Sequence, residues 1–264
     1  MNGRSSEQKS HQEAKSFRRL AEMTTDEAAD AVRRSPLVII PVGAQEQHGG
    51  GMAMATDTVR AVGVADRVGE RLAGRAVIAP VVPYGVSPHH MAFAGTVSLS
   101  PATFMEVLRD VIASLRDHGW RQFLVITGHG GNNAALSVLA QEYVRQDLMF
   151  AWSPITSVVS DLIVDVSEVH GHSGEAETAQ MLYLAPDLVQ ADRLEPGATT
   201  LDELTTPARL SRQARGPRLS VGFDVYHKRG VLGDPRRATA EHGRLLVETA
   251  ADRIAAFADE LLSA

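Results

Sequence analysis

The sequence predicts an α/β fold in which a mainly parallel sheet is covered on both faces by helices. Three observations carry that reading. Short β-branched apolar runs alternate with amphipathic stretches of roughly ten to twenty residues, the pattern of repeated βαβ units. The apolar runs are near-continuous, as strands buried on both faces require. Capping residues bound the amphipathic stretches, most clearly Ser100 and Pro101 at one start and Gly119 past the same end.

Taken in order, residues 17–34 read as a helix, with "DEAADAVRR" acidic at its start and basic at its end, as the helix dipole favours. "PLVIIPVG" (Pro36 to Gly43) is a buried strand. "TVRAVGVADRVGERLAG" has apolar residues at helical spacing and closes on Gly74. "AVIAPVVPYG" is a second strand, interrupted by prolines. "SPATFMEVLRDVIASLRDHG" is the clearest helix, "RQFLVITG" the third strand and "NNAALSVLAQEYVRQ" the helix after it. "AWSPITSVV" holds a fourth strand. "EAETAQMLYLA" is a short helix stopped by Pro186, and residues 191–220 are a polar, aperiodic surface excursion. "RATAEHGRLLVETAADRIAAFADELL" is a final amphipathic helix. There is no internal repeat and no linker before residue 190. The reading is therefore a disordered tail over residues 1–22 and one domain over residues 23–264.

Composition narrows the chemistry. The 264 residues are 44% hydrophobic and 22% charged, ordinary for a globular protein with a sizeable core. The formal charge is −6 and no basic block stands out, which argues against a nucleic-acid partner. With no cysteine, disulfides, thiolate metal sites and a cysteine nucleophile are excluded. Any metal must be held by His, Asp or Glu, a donor set that suits Zn²⁺, Mn²⁺ or Fe²⁺. No apolar run approaches the roughly 18 residues of a membrane helix, and the polar N-terminus has no secretory core, so a cytoplasmic location with no membrane partner is expected.

Three His/acid clusters each follow a predicted strand. Glu46 and His48 lie past "LVIIPVG", His129 lies past "FLVITG", and His170, His172, Glu175 and Glu177 lie beyond the fourth strand. Ligand sites in open α/β sheets form at the carboxyl ends of the strands, so the three clusters point to one place. Glu46 and His48, two apart in an extended segment, point to the same side, and Asp57 returns at the start of the next helix. The glycines between them let backbone pass close to a ligand. Singly, each cluster has a plainer reading. "GHGGNN" could cradle a phosphate at a helix start, and "HGHSGEAET" could be an exposed helix N-terminus capped by Ser173. His89 and His90 read as loop histidines, one of which could face a substrate. Phe93 reads as core or pocket wall, Trp120 as packing, and Asp234 as a turn former. Asn132 is either an oxyanion donor or a helix cap.

The set "PVGAQEQHG…TDT", "PYGVSPHHMAFAGTVSLS", "TGHGGNN", "HGHSGEAETAQML" and "GVLGDPRRATAEHG", in this order over residues 37–260, resembles the creatininase family of metal-dependent amidohydrolases. The resemblance implies a three-layer α/β/α fold with a mainly parallel sheet, a site for two divalent metal ions and a homohexamer. It implies that Glu46 binds one metal, His48 the other, that Asp57 bridges, and that His129 is a ligand, with Thr127 in place of the usual Asn of the "NGH" motif. His172 begins the "HxGxxET" motif and is expected to handle protons. Creatinine-hydrolysing members carry a metal-binding Glu where this chain has Gly131. Glu177 is the expected replacement ligand, with Glu175 second. On an ideal helix the two project about 200° apart, so only one can face the metals. Gly50, Gly51 and the segment Met52 to Met54 replace bulkier residues of relatives, which argues against creatinine as substrate.

The expected reaction is hydrolysis of an amide-type C–N bond in a lactam, cyclic amide, formamide or small peptide by metal-activated hydroxide. His172 and Glu175 are the expected catalytic residues; Glu46, His48, Asp57, His129 and Glu177 the metal ligands; His90 and Asn132 the substrate contacts. Hydrolysis of a cyclic ketone or lactone on the same site, or a non-catalytic metal-binding role, are the alternatives. The partners expected are a small-molecule substrate and other copies of the chain, with the long helix 101–118 offering an interface.

Overall fold

The predicted strands pair in parallel at the centre of one sheet. The computed structural model of the chain describes residues 18–163, 167–213, 216, 217 and 219–263. Its strands are β1 (Arg18–Arg19), β2 (Leu37–Val42), β3 (Ala76–Ile78), β4 (Gln122–Thr127) and β5 (Met149–Pro154), in the spatial order β1-β3-β2-β4-β5. Among the described residues every pairing between these strands is parallel. The helices are α1 (Thr25–Arg34), α2 (Thr56–Arg71), α3 (Pro101–Asp117), α4 (Asn133–Tyr143), α5 (Ile155–Val158), α6 (Glu175–Leu184), α7 (Thr206–Ser211), α8 (Phe223–Tyr226) and α9 (Ala240–Ser263), with short 3-10 turns between.

Successive strand residues go to opposite faces, and each face has its own core. Leu37, Ile39, Leu124 and Ile126 pack with Val64 and Val68 of α2 and Leu246, Ala250 and Ile254 of α9. Val38, Ile40, Phe123 and Val125 pack with Phe104, Leu108 and Ile112 of α3 and Leu136 and Leu139 of α4. The fold is therefore α/β in three layers, as expected. Glu248 of α9 joins Arg67 (2.7 Å) and Arg71 (2.7 Å) of α2 and accepts from Tyr183 of α6 (2.8 Å), tying the three helices of one layer together.

Several boundaries differ from the sequence reading. Of the expected tail, residues 18–22 form β1 and a 3-10 turn, while residues 1–17 lie outside the described residues. The first helix starts at Thr25 rather than 17, because Thr24 and Glu27 form a reciprocal capping box. Prolines 80 and 83 stop the second predicted strand at Ile78. The 191–220 excursion is only partly aperiodic. With the segment that follows, it carries α7 and α8 and a satellite core of Val169, Ala198, Leu204, Ala208 and Leu232. Phe104, Leu108, Ile112 and Leu115 of α3 are buried in the chain's own core.

Candidate metal centre

The register Val42↔Thr127↔Pro154 brings the exits of β2, β4 and β5 side by side at one edge of the sheet. The chain leaves β2 in an irregular segment carrying Glu46 and His48, then enters α2 with Asp57 in its first turn. It leaves β4 through Gly128 and His129. A Cβ at Gly128 would overlap the Asp57 carbonyl, so glycine is what allows this close passage.

The backbone sets which ring nitrogen of each histidine faces inward. A carbonyl oxygen only accepts, so His48 Nδ1 donates to Glu46 O (3.2 Å) and His129 Nε2 donates to Val86 O (3.0 Å). His48 Nε2 then faces Asp57 Oδ1 (3.6 Å) and Glu177 Oε2 (3.6 Å). His129 Nδ1 faces Glu46 Oε1 (3.2 Å) and Asp57 Oδ2 (3.3 Å). Ser87 Oγ donates to Glu46 Oε2 (2.7 Å) and fixes that carboxylate. These outer contacts orient the inner atoms as second partners of metal ligands do.

Two groups of ligand-competent atoms result, Glu46–Asp57–His129 and His48–Asp57–Glu177, with the atoms of each within 4.8 Å of one another. Two further groups, Glu46–His48–His172 and Glu46–His89–His90, share Glu46. His48 Nε2 and Asp57 Oδ2 are buried and, among the described residues, have no hydrogen-bond partner. Buried polar atoms are rarely left so, and a divalent cation satisfies both of these at once. The all-N/O donor set fits Zn²⁺, Mn²⁺ or Fe²⁺.

The electrostatics agree with a cation-binding cluster. Burial opposes charging of His48, but Asp57, Glu177 and Glu46 outweigh it and raise its pKa to about 9. Burial likewise opposes charging of His129, which Glu46 and Asp57 raise well above the usual value. Asp57, despite burial, is held well below the usual carboxylate range by His48 and His129. Glu46 is raised, by burial and then by Asp57. His172 is lowered well below the usual value, by burial and then by His48 and His90.

The remaining predicted residues fall into distinct environments. Glu177 Oε1 accepts from Arg60 (2.7 Å) and Oε2 from the Ser173 amide (2.7 Å). Glu175, two residues earlier on α6, points elsewhere. Its Oε1 accepts from Ser167 Oγ (2.6 Å) and the Asp234 amide (2.9 Å), and it belongs to none of the ligand groups among the described residues. That placement makes it a support for the 233–234 turn, on the wall of the same cavity as Glu177. His172 Nε2 donates to Gln47 O (2.7 Å), leaving Nδ1 toward Glu46 (3.5 Å) and Glu177 (3.9 Å).

The two expected substrate contacts, Asn132 and His90, both sit in enclosed positions. Asn132 is fully buried, its amide donating to Gly43 O (3.0 Å) and Thr127 Oγ1 (3.2 Å) and accepting from the Val86 amide (2.9 Å), so it holds the scaffold. His90 is 1% exposed, with Nδ1 against Gln47 Nε2 (3.0 Å) and Nε2 against Glu46 (3.4 Å). Its neighbour His89 is the more open ring. It stacks on His129 at 5.6 Å, and its nitrogens make no hydrogen bond among the described residues. A Cβ at Gly131 would overlap Val86 O, His129 and His89, so no acid fits there in this backbone.

Sequence reasoning missed Arg60 and Phe223. Arg60 lies fully buried beside Asp57 and Glu177. Phe223 of α8 stacks on His90 (4.2 Å) and meets His172 edge-on (4.9 Å). Both aromatic contacts roof the cluster. A cavity of about 540 Å³ opens from it, reaching Thr156, Ser160, His170 and His242.

The match to known proteins is extensive. The creatininase (creatinine amidohydrolase) family model matches residues 21–258. A mycofactocin precursor peptide peptidase of Mycobacterium ulcerans is 33% identical over 234 residues, 85% of each chain. The creatinine amidohydrolase of Pseudomonas putida is 29% identical over 249 residues, 83% of this chain and 87% of that one. The solved structure described as "Creatininase Mn" superposes with a TM-score of 0.74 at 26% identity, covering 93% of this chain and 99% of that one. The protein is a member of the creatininase family and a metal-dependent amidohydrolase.

Proposed function

We propose that the protein hydrolyses an amide bond in a peptide or cyclic amide at a two-ion site, with Glu46, Asp57 and His129 holding one divalent ion and His48, Asp57 and Glu177 the other. The observation that carries this is the pair of overlapping ligand groups sharing Asp57, with His48 Nε2 and Asp57 Oδ2 without hydrogen-bond partners among the described residues. The ions, when bound, supply a water of lowered pKa and polarise the carbonyl. His172, anchored through Nε2, offers Nδ1 as the base that takes a proton and passes it to the departing nitrogen. His89 is the donor that meets the substrate from the cavity wall. Phe223 keeps water from the inner face of the histidines.

Names of relatives support the class of bond: one is a peptidase and another a creatinine amidohydrolase. The manganese of a neighbouring structure supports a divalent ion. A cavity of about 540 Å³ is larger than one small ring fills, which favours a peptide over creatinine. A homohexamer and a cytoplasmic location belong to the same proposal. Exposed Val144 and Phe257 are surfaces for the former, and among the described residues no helix is long and apolar enough to cross a membrane.

The test is turnover by protein loaded with Zn²⁺, Mn²⁺ or Fe²⁺ on a panel of short peptides, lactams, formamides and lactones. Metal-dependent release of amine from a peptide or lactam supports the proposal. Turnover confined to lactones, or none with any ion, rejects it.

A further inference from the structure

Arg60 is fully buried, a rare position for a guanidinium unless every donor is engaged. Nη1 donates to Glu177 Oε1 (2.7 Å), Gly128 O (2.9 Å) and Asp57 Oδ1 (3.3 Å). Nε donates to Gln180 Oε1 (3.0 Å) and Nη2 to Thr156 Oγ1 (2.9 Å). One side chain thus joins α2, the turn just before His129, the first turn past β5, and α6. Asp57 and Arg60 are three apart on α2, and Glu177 and Gln180 three apart on α6, so the two helices meet rung against rung.

The consequence falls on Glu177. Its three side-chain torsions would ordinarily let the carboxylate wander. Here Oε1 is held by Arg60 and Oε2 by the Ser173 amide, and Oε2 comes to rest 3.6 Å from His48 Nε2. We infer that Arg60 is the positioning residue that fixes the Glu177 carboxylate of α6 against His48, and so governs occupancy of the His48–Asp57–Glu177 half of the site. This rests on the proposed reading of Glu177 as a ligand. The planar fork matters as much as the charge, since a lysine ammonium cannot reach Glu177, Gln180 and Thr156 in one plane. The fixed positive charge also offsets one of the three carboxylates Glu46, Asp57 and Glu177, which crowd together when the ions leave.

A buried ion pair with a purely scaffolding role is the competing account. It predicts a general loss of stability and of both ions together. Positioning predicts the selective loss of one. The experiment uses the full chain and Zn²⁺ alone as probe, with stoichiometry by elemental analysis, stepwise affinity by calorimetric titration, and Tm alongside. The variants are Arg60→Lys, Gln180→Leu, Glu177→Gln and the double variant R60K/E177Q. Wild type should bind two equivalents. Arg60→Lys and Glu177→Gln should each weaken one binding step by roughly tenfold to a hundredfold and leave the other unchanged. Gln180→Leu, which loosens the same guanidinium from its far side, should weaken that step less. The double variant should be no worse than either single, because both act through one carboxylate. If Glu177→Gln loses an ion while Arg60→Lys and Gln180→Leu titrate as wild type, the inference about Arg60 is overturned and the ligand reading stands. If Glu177→Gln keeps two ions, the ligand reading fails and this inference with it. Additive losses in the double variant, or both ions lost together with a collapse in Tm in Arg60→Lys and no selective effect in Gln180→Leu, assign Arg60 to the scaffold and overturn it too.

Discussion

His48 Nε2 stands 3.6 Å from Asp57 Oδ1, both side chains are buried, and neither His48 Nε2 nor Asp57 Oδ2 has a hydrogen-bond partner among the described residues. Asp57 is also the residue common to both three-residue ligand groups built around it and the strand ends. Asp57→Asn should therefore lose both ions, whereas Glu46→Gln should lose one. Elemental analysis after dialysis against excess Mn²⁺ checks this, and two ions retained by folded Asp57→Asn would contradict it.

The histidines make stability depend on pH with a definite sign. His48 has a folded value of about 9 against an ordinary 6.5. Its proton thus stabilises the metal-free fold fully below about 6.5, and that stabilisation is lost as pH rises through about 9. Metal ions compete with protons for His48 and His129, so loading strengthens over the same window. The Tm difference between metal-loaded and chelator-treated protein should widen from pH 6.5 to pH 9 in scanning calorimetry. A flat or narrowing difference would reject the assignment.

Restoring an acid to position 131 should harm the protein rather than improve the site. A side chain there meets Val86 O, a backbone atom that cannot yield cheaply. Gly131→Glu should destabilise by about 1–3 kcal/mol, the usual range for overpacking. Thermal unfolding measures it, and an unchanged Tm with tighter metal binding would show that the backbone adapts.

Much of this was legible in the sequence, and the exceptions have physical causes. Glu46, His48 and His129 could be grouped because each stands just past a strand, with Asp57 in the first turn of the helix after the first of them, and parallel register brings such exits together. The opposite bearings of Glu175 and Glu177 followed from helix geometry alone. Arg60 was hidden because an arginine in "TVRAVGVADRVGERL" reads as the wet face of an amphipathic helix. The three-residue step from Asp57 was the available signal. β1 is two arginines, whose strand state comes from pairing with β3 and not from their own preference. Phe223 sits in a four-residue helix, too short to show a period.

Asn132 and His89 should behave oppositely on truncation. Asn132→Ala strands Gly43 O and the Val86 amide in the interior and should cost about 1–3 kcal/mol of stability. His89→Ala should unfold at the wild-type temperature with both ions in place. On an accepted amide it should lose roughly tenfold in kcat/KM, the worth of one hydrogen bond to the substrate. Wild-type kinetics in His89→Ala would remove it from the substrate's path.

The most direct measurement is anomalous scattering at the metal edge from crystals grown with Mn²⁺ or Zn²⁺. The account predicts two peaks about 3.5–4 Å apart, bridged by Asp57. One should be bonded by Glu46 and His129, the other by His48 and Glu177. A single peak, or a second one with Glu177 outside bonding distance, would contradict it.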